Sequence, residues 1–206
     1  MKEIIKQIPL YRFIMFCNDT NMDKEVLDCG AGGDCPPLSL FLECGYLTHG
    51  VEFNTKQLEE SNIYSKKKEQ NLNIEKGDMR QLKFKDESLS FVYSYNSVFH
   101  MTKADISKSI SEMKRVLKPN GLLFVNFLST KDSRCGQGIA VGENEYEQMD
   151  DFPVIHSYCE EYEADKYFYD MEILYKENRV LERIYEGEKI RQGFIDYIVK
   201  KTLLPF

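Results

Sequence analysis

Tryptophan is absent from this chain of 206 residues, and so are a C-x-x-C pair, a histidine at zinc-finger spacing and an apolar run long enough to span a bilayer. Without metal-ligand spacing, the six cysteines at positions 17, 29, 35, 44, 135 and 159 read as free thiols in a reducing compartment, and no metal is implied. Basic charge is in short supply. With 27 Lys and Arg against 34 Asp and Glu, the net charge is -7, which disfavours attraction to a phosphate backbone or to anionic lipid. Neither nucleic acid nor a membrane is expected as a partner. The early apolar stretch from Ile8 to Cys17 is interrupted by Pro9 and Arg12 and no small-residue cleavage pattern follows it, so a cytoplasmic protein is expected. Internal repeats and low-complexity segments are lacking as well.

What is present is the composition of an ordinary globular protein, 42% hydrophobic and 30% charged, with thirteen Tyr and thirteen Phe in place of Trp. The length suits one domain over residues 1–206 with a core of its own. An amphipathic start (Ile4, Ile5, Ile8, Leu10, Phe13, Ile14) predicts an N-terminal helix within 1–20. Strands are expected near 25–28, 48–52, 73–76, 89–95 and 122–127. Helices are expected after Asp34, a plausible N-cap ahead of Pro36-Pro37, then over 55–68 and over 102–117, where Lys118-Pro119-Asn120-Gly121 is a stop signal. Residues 129–158 hold glycines, acids and few periodic apolar positions, and read as a surface excursion or lid on the strand carboxyl side of the sheet. A short helix over about 160–169 precedes two long strands, 172–185 and 189–200, joined at Glu186-Gly187-Glu188 into an antiparallel hairpin. The fold class is therefore α/β: a doubly wound, mostly parallel, Rossmann-like sheet of seven strands with a C-terminal antiparallel hairpin.

The chemistry is concentrated in Val26-Leu27-Asp28-Cys29-Gly30-Ala31-Gly32-Gly33-Asp34 and, about twenty residues on, in Thr48-His49-Gly50-Val51-Glu52-Phe53. An apolar strand that ends in an acid, breaks into glycines and opens a helix makes room for a nucleotide-like ligand at the carboxyl edge of a sheet, and Glu52 puts a carboxylate where a ribose would lie. Gly30 and Gly32 let backbone approach a ligand where a side chain would block it. His100, just beyond the fourth strand, and His156, after the excursion, are the histidines able to face a bound ligand; His49 precedes a buried strand.

Four segments occur in the order found in class I S-adenosylmethionine-dependent methyltransferases: residues 26–32, Glu52, Gly77-Asp78-Met79-Arg80, and Glu112 to Gly121. Over residues 26–127 the chain resembles the small-molecule branch that includes the ubiquinone and menaquinone biosynthesis C-methyltransferases. The resemblance implies S-adenosyl-L-methionine as cofactor and a small-molecule methyl acceptor. It places Asp28, Gly30, Ala31 and Gly32 at the methionine part of the cofactor, Glu52 on both ribose hydroxyls, Phe53 and Met79 against the adenine and Asp78 on its amino group. It also implies Tyr95 near the sulfonium, Tyr11 over the cofactor carboxylate, and His100 as the candidate general base. Two positions depart from the pattern: Asp34 stands where the family has glycine, and Ser90 where it often has an acid. A non-catalytic protein that binds this cofactor or its demethylated product satisfies the same motifs. A nicotinamide-dependent oxidoreductase is the weaker alternative, because Cys35 occupies the position of the third glycine of Gly-x-Gly-x-x-Gly.

Overall fold

The computed structural model describes residues 8–150, 152–185 and 187–202; Ile4 and Ile5 of the expected first helix, and Glu186 of the expected turn, lie outside the described residues. Helix α1 is Ile8–Asn18, followed by strand β1 (Glu25–Cys29), α2 (Leu38–Glu43), β2 (Leu47–Glu52), α3 (Thr55–Lys68), β3 (Ile74–Lys76) and β4 (Leu89–Ser94). Helix α4 (Lys103–Val116) leads into β5 (Leu117–Ser129), then β6 (Ile139–Gly142), β7 (Glu145–Met149) and β8 (Pro153–Cys159). A 3-10 turn at Glu163–Phe168 precedes β9 (Met171–Tyr185) and β10 (Glu188–Lys201).

Strands β3, β2, β1, β4 and β5 are parallel neighbours in that order, and β10 runs antiparallel between β5 and β9. Successive side chains of a strand point to opposite faces. Leu27 and Cys29 accordingly join the core under α4 with Ile106, Ile110 and Met113, while Val26 joins the opposite core with Leu10, Phe13, Leu38 and Phe41. Both faces are covered, which is why β4 is buried at every residue and β1 at all but its first rather than alternating. Side-chain caps hold the two helices that border the cavity described below. Asn54 Oδ1 accepts from the Lys56 and Gln57 N–H groups at 2.9 and 3.2 Å ahead of α3, and Thr102 Oγ1 accepts from Asp105 N at 3.2 Å at the start of α4.

The seven expected strands are all present, and the excursion adds three more. Residues Leu128 and Ser129 of β5 pair with Tyr158 and Cys159 of β8, which continues antiparallel into β7 and β6. Three smaller expectations change. Helix α2 starts only at Leu38, with Pro37 in the cap position and no side-chain cap, so Asp34 is not its N-cap; two prolines hold the residues ahead of them out of the helical region and push the start downstream. Helix α4 ends at Val116 and β5 begins at once, so the lysine-proline-asparagine-glycine run is the entry to the strand, with Asn120 at φ +64°. The segment near 160–169 is a 3-10 turn rather than an α-helix.

Candidate functional site

A cavity of about 1100 Å³ opens at the carboxyl ends of β1, β2 and β4. Its floor is the loop after β1. Gly30 lies at φ +106°, and a Cβ there would meet Ser97 Oγ at 1.9 Å. A Cβ on Gly32 would lie 2.6 Å from Glu52 Oε2 and from the Gln57 side chain. These glycines are demanded by the protein's own packing as well as by any ligand. Glu52, 8% exposed at the end of β2, ties the loops together: Oε2 accepts from Gly32 N at 2.9 Å and Oε1 from Asn54 N at 2.6 Å. A carboxylate has about four acceptor positions, so some remain open toward the cavity.

The loop after β3 forms a second wall. Asp78 is gripped by Arg80: Nε lies 3.0 and 3.1 Å from its two oxygens, Nη2 2.7 Å from Oδ2, and the Arg80 N–H 2.9 Å from Oδ1. Arg80 also reaches Asp105 Oδ2 at 2.8 Å. The guanidinium holds the Asp78 carboxyl below the usual carboxylate range, and Lys108 first, with Arg80 behind it, does the same for Asp105. Asp78 thus lines the cavity with its lone pairs already engaged, so the adenine-amino contact implied by the resemblance has little acceptor capacity left to use. Met79 is buried beside it, whereas Phe53 is 64% exposed, with Lys76 Nζ and the Arg80 guanidinium 5.4 and 5.7 Å from its ring centre.

At the far end, the loop after β4 carries Tyr95, Asn96, Ser97 and His100 to the wall. Asn96 and Asn126 lock this loop onto β5 through two hydrogen bonds of 2.7 Å, Asn96 N to Asn126 Oδ1 and Asn126 Nδ2 to Asn96 Oδ1. Tyr95 stacks at a tilt on Phe124, and burial raises its hydroxyl pKa. Opposite stand Glu147, Asp150 and the apolar run Phe152 to Ile155 from β7 and β8. His156 lies behind His100, their ring centres 4.7 Å apart. Crowding by the protein, then the neighbouring imidazole, pushes His100 down to about 4 although the residue as a whole is exposed. An imidazole so poised is neutral at pH 7 but a weak proton acceptor, which counts against a general-base role.

Of the residues singled out from sequence, Gly30, Gly32, Glu52, Phe53, Asp78, Met79, Tyr95 and His100 line this one cavity. Three do not. Tyr11 of α1 sits by Glu43 and Cys44, at the other end of α2 from the cavity. The Ala31 side chain is fully buried toward β2, and its N–H donates to Val51 O at 3.2 Å. Asp28 is 1% exposed beneath the loop, and neither oxygen, nor the Tyr93 hydroxyl that favours its charged form, meets hydrogen-bond geometry with a described residue. The sequence reading missed Arg80 as the partner of Asp78, the Asn96–Asn126 lock, and the gathering of His100, Asp150 and His156, whose ligand atoms all lie within 4.8 Å of one another. Only the Arg80 spacing left a local signal.

Six carboxylates line the cavity (Asp34, Glu52, Asp78, Asp105, Glu147 and Asp150) against one arginine, Arg80, whose charge is spent on two of them. The field therefore favours a cationic ligand and opposes a polyphosphate.

Residues 27–125 match the family model described as a methyltransferase domain. Sterol 24-C-methyltransferase of Candida albicans is 33% identical over 118 residues, 55% of this chain and 30% of the relative; the chain thus spans about a third of the length of that curated relative. Among solved structures, a SAM-dependent methyltransferase of Methanosarcina mazei superposes with a TM-score of 0.72 at 23% identity, covering 92% of this chain and 98% of that one. The 1,6-didemethyltoxoflavin-N1-methyltransferase of Burkholderia thailandensis, solved with its acceptor and S-adenosylhomocysteine, gives 0.63 at 12% identity, covering 92% and 76%. The stretch that builds the glycine loop, Glu52 and the walls after β3 and β4 thus matches the methyltransferase-domain family model and shares the fold of the SAM-dependent methyltransferase of Methanosarcina mazei.

Proposed function

We propose that this chain transfers the methyl group of S-adenosylmethionine to a small-molecule acceptor. The observation that carries the reading is the acid-lined cavity built on Glu52 and the glycine loop. S-adenosylmethionine brings a sulfonium and an ammonium against one carboxylate, a net positive charge, whereas a nicotinamide dinucleotide brings a pyrophosphate that these six carboxylates would repel. The residues fit the cofactor: Glu52 keeps acceptor capacity for ribose hydroxyls, Phe53 offers an exposed ring to a planar base beside Met79, and Tyr95 stands toward the reacting centre. Binding through these groups rests on geometry and resemblance together. When bound, the cofactor supplies a methyl group on a positively charged sulfur.

The volume exceeds the roughly 300–1,000 Å³ of a single-ligand pocket, which leaves space for an acceptor beside the cofactor. That half is walled by Met101 and by Phe152 to Ile155, so the 129–158 segment serves as the acceptor-side cover. Displacement at a methyl group depends on alignment and exclusion of water more than on acid or base residues, and orientation contributes on the order of 7 to 11 kcal/mol. The resemblance in motif order to the quinone C-methyltransferases and, separately, the carbon acceptor in the name of the sterol relatives make an electron-rich carbon the acceptor atom to test first. Among the described residues no helix is long and apolar enough to cross a membrane, and a cytoplasmic location goes with the free thiols.

Calorimetric titration with S-adenosylmethionine, S-adenosylhomocysteine and NAD tests the cofactor. Binding of the first two and not NAD is expected, and Glu52→Ala should weaken it by about 1 to 3 kcal/mol through lost hydrogen bonds. Binding of NAD alone would overturn the reading; tight cofactor binding with no turnover on any acceptor would favour the non-catalytic alternative.

A further inference from the structure

We propose that His100, His156 and Asp150 form a binding site for one divalent transition-metal ion at the acceptor end of the cavity. The three come from separate elements: the loop after β4, strand β8, and the turn between β7 and β8. Nothing in local sequence links them, yet one ligand atom of each falls within 4.8 Å of the others. His156 Nε2 stands 3.4 Å from Asp150 Oδ2. That is long for a hydrogen bond, whose usual range is about 2.7–3.2 Å, but it matches the edge of a tetrahedron with metal–ligand bonds of about 2.0–2.1 Å, which is roughly 3.3 Å. His100 is the outer, exposed ligand, with a ring nitrogen within 4.8 Å of the other two ligand atoms.

An independent observation points the same way. His156 is 3% exposed, and its Nδ1 is buried with no hydrogen-bond partner among the described residues. Nδ1 meets no partner in hydrogen-bond geometry although the Val154 backbone carbonyl lies near the ring, and Nε2 has the long contact to Asp150, so a ring nitrogen is left for an ion. The surroundings resemble the outer shell of a metal centre, where ligands are themselves oriented by further hydrogen bonds. Arg134 Nη2 holds Asp150 Oδ1 at 2.8 Å and so turns Oδ2 toward His156, and the Asn96 backbone carbonyl faces the His100 ring. Arg134 stands beside the site with its charge taken up by Asp150, while the lining carboxylates attract a cation into the cavity.

Two imidazoles and one carboxylate suit zinc or its first-row neighbours, and three protein ligands leave a coordination position open. His100 and Asp150 lie on the cavity wall, so that position faces the acceptor. This last step rests on the methyl-transfer reading: the acceptor would then be an enol or phenol that binds through its oxygen as the anion, its hydroxyl proton leaving to solvent. The ion site itself does not depend on that reading.

The full chain, stripped with chelator and titrated with zinc chloride and then cobalt chloride, tests the proposal, with S-adenosylhomocysteine titrated on the same preparations. One saturable ion per chain is expected, with visible cobalt bands of nitrogen and oxygen ligation and no near-ultraviolet thiolate band. His156→Ala and Asp150→Ala should each weaken binding roughly tenfold or more, while S-adenosylhomocysteine affinity in the same variants reports that the fold and cofactor half stand. Absence of saturable zinc binding, equal binding by both variants, or a thiolate band would overturn the site. Ion binding without S-adenosylhomocysteine binding would remove the acceptor assignment and leave the ion site standing.

Discussion

Asp28 closes β1 with a carboxyl that is 1% exposed and has no hydrogen bond to a described residue. Burial first, and then the charge of Glu52, raises its pKa well above the ordinary value, against the opposing effect of Tyr93. Between the unfolded value of about 3.9 and that raised value, the folded state holds the extra proton, so stability falls as pH rises through this window and stays lower above it. Asp28→Asn removes the titration. Urea denaturation from pH 4 to 8 should show the variant with a flatter profile than the parent and greater stability at neutral pH; an unchanged profile would mean that the carboxyl carries no such penalty. The same scale shows why residue chemistry was only partly legible. Gly30 and Gly32 stand out in sequence for a ligand's sake, yet the side chains that exclude a Cβ there, Ser97, Gln57 and Glu52, come from elsewhere in the chain. Asp78 stood out as a ligand contact, but its commitment to Arg80 depends on a loop geometry that no spacing rule fixes.

At the scale of elements, legibility followed burial. Strands β1 and β4 are rich in apolar residues because both faces are covered, and the terminal hairpin is long enough to declare itself, so these were read close to their observed bounds. Strand β6 is exposed at all four residues and offers no alternation, so the excursion was read as irregular although it is a three-stranded meander. The hairpin's anchorage was also invisible. Asp196 of β10, 1% exposed and opposite Asn126 of β5, receives Arg179 of β9 through Nε at 2.6 Å and Nη2 at 3.1 Å. Asp196→Ala strands a largely buried guanidinium, and removing one partner of a buried pair costs about 3–5 kcal/mol, the lower end applying here because Arg179 retains some solvent contact. Chemical denaturation measures it; a loss below about 1 kcal/mol would class the pair with solvent-exposed bridges.

Over the whole molecule, the excess of acid is ordinary in amount but pointed in placement. The net charge of -7 is spread over a surface rich in ion pairs, whereas six carboxylates converge on one cavity with a single compensated arginine. A chain of this build should therefore discriminate ligands by charge before it discriminates them by shape. Ligand linkage makes this measurable without an acceptor. At a concentration 100 times its dissociation constant, a ligand that binds only the folded state adds about 2.7 kcal/mol. For a protein of this length each kcal/mol moves Tm by about 2–4 °C, so saturating S-adenosylmethionine should raise the melting temperature by roughly 5–10 °C, and NAD at equal concentration should leave it unmoved. Raising the salt concentration should weaken binding of the cationic cofactor more than that of S-adenosylhomocysteine, which lacks the sulfonium charge, because only the former draws on the field of the carboxylates. Equal salt sensitivity for the two would mean that the acids lining the cavity hold the fold together rather than select its ligand.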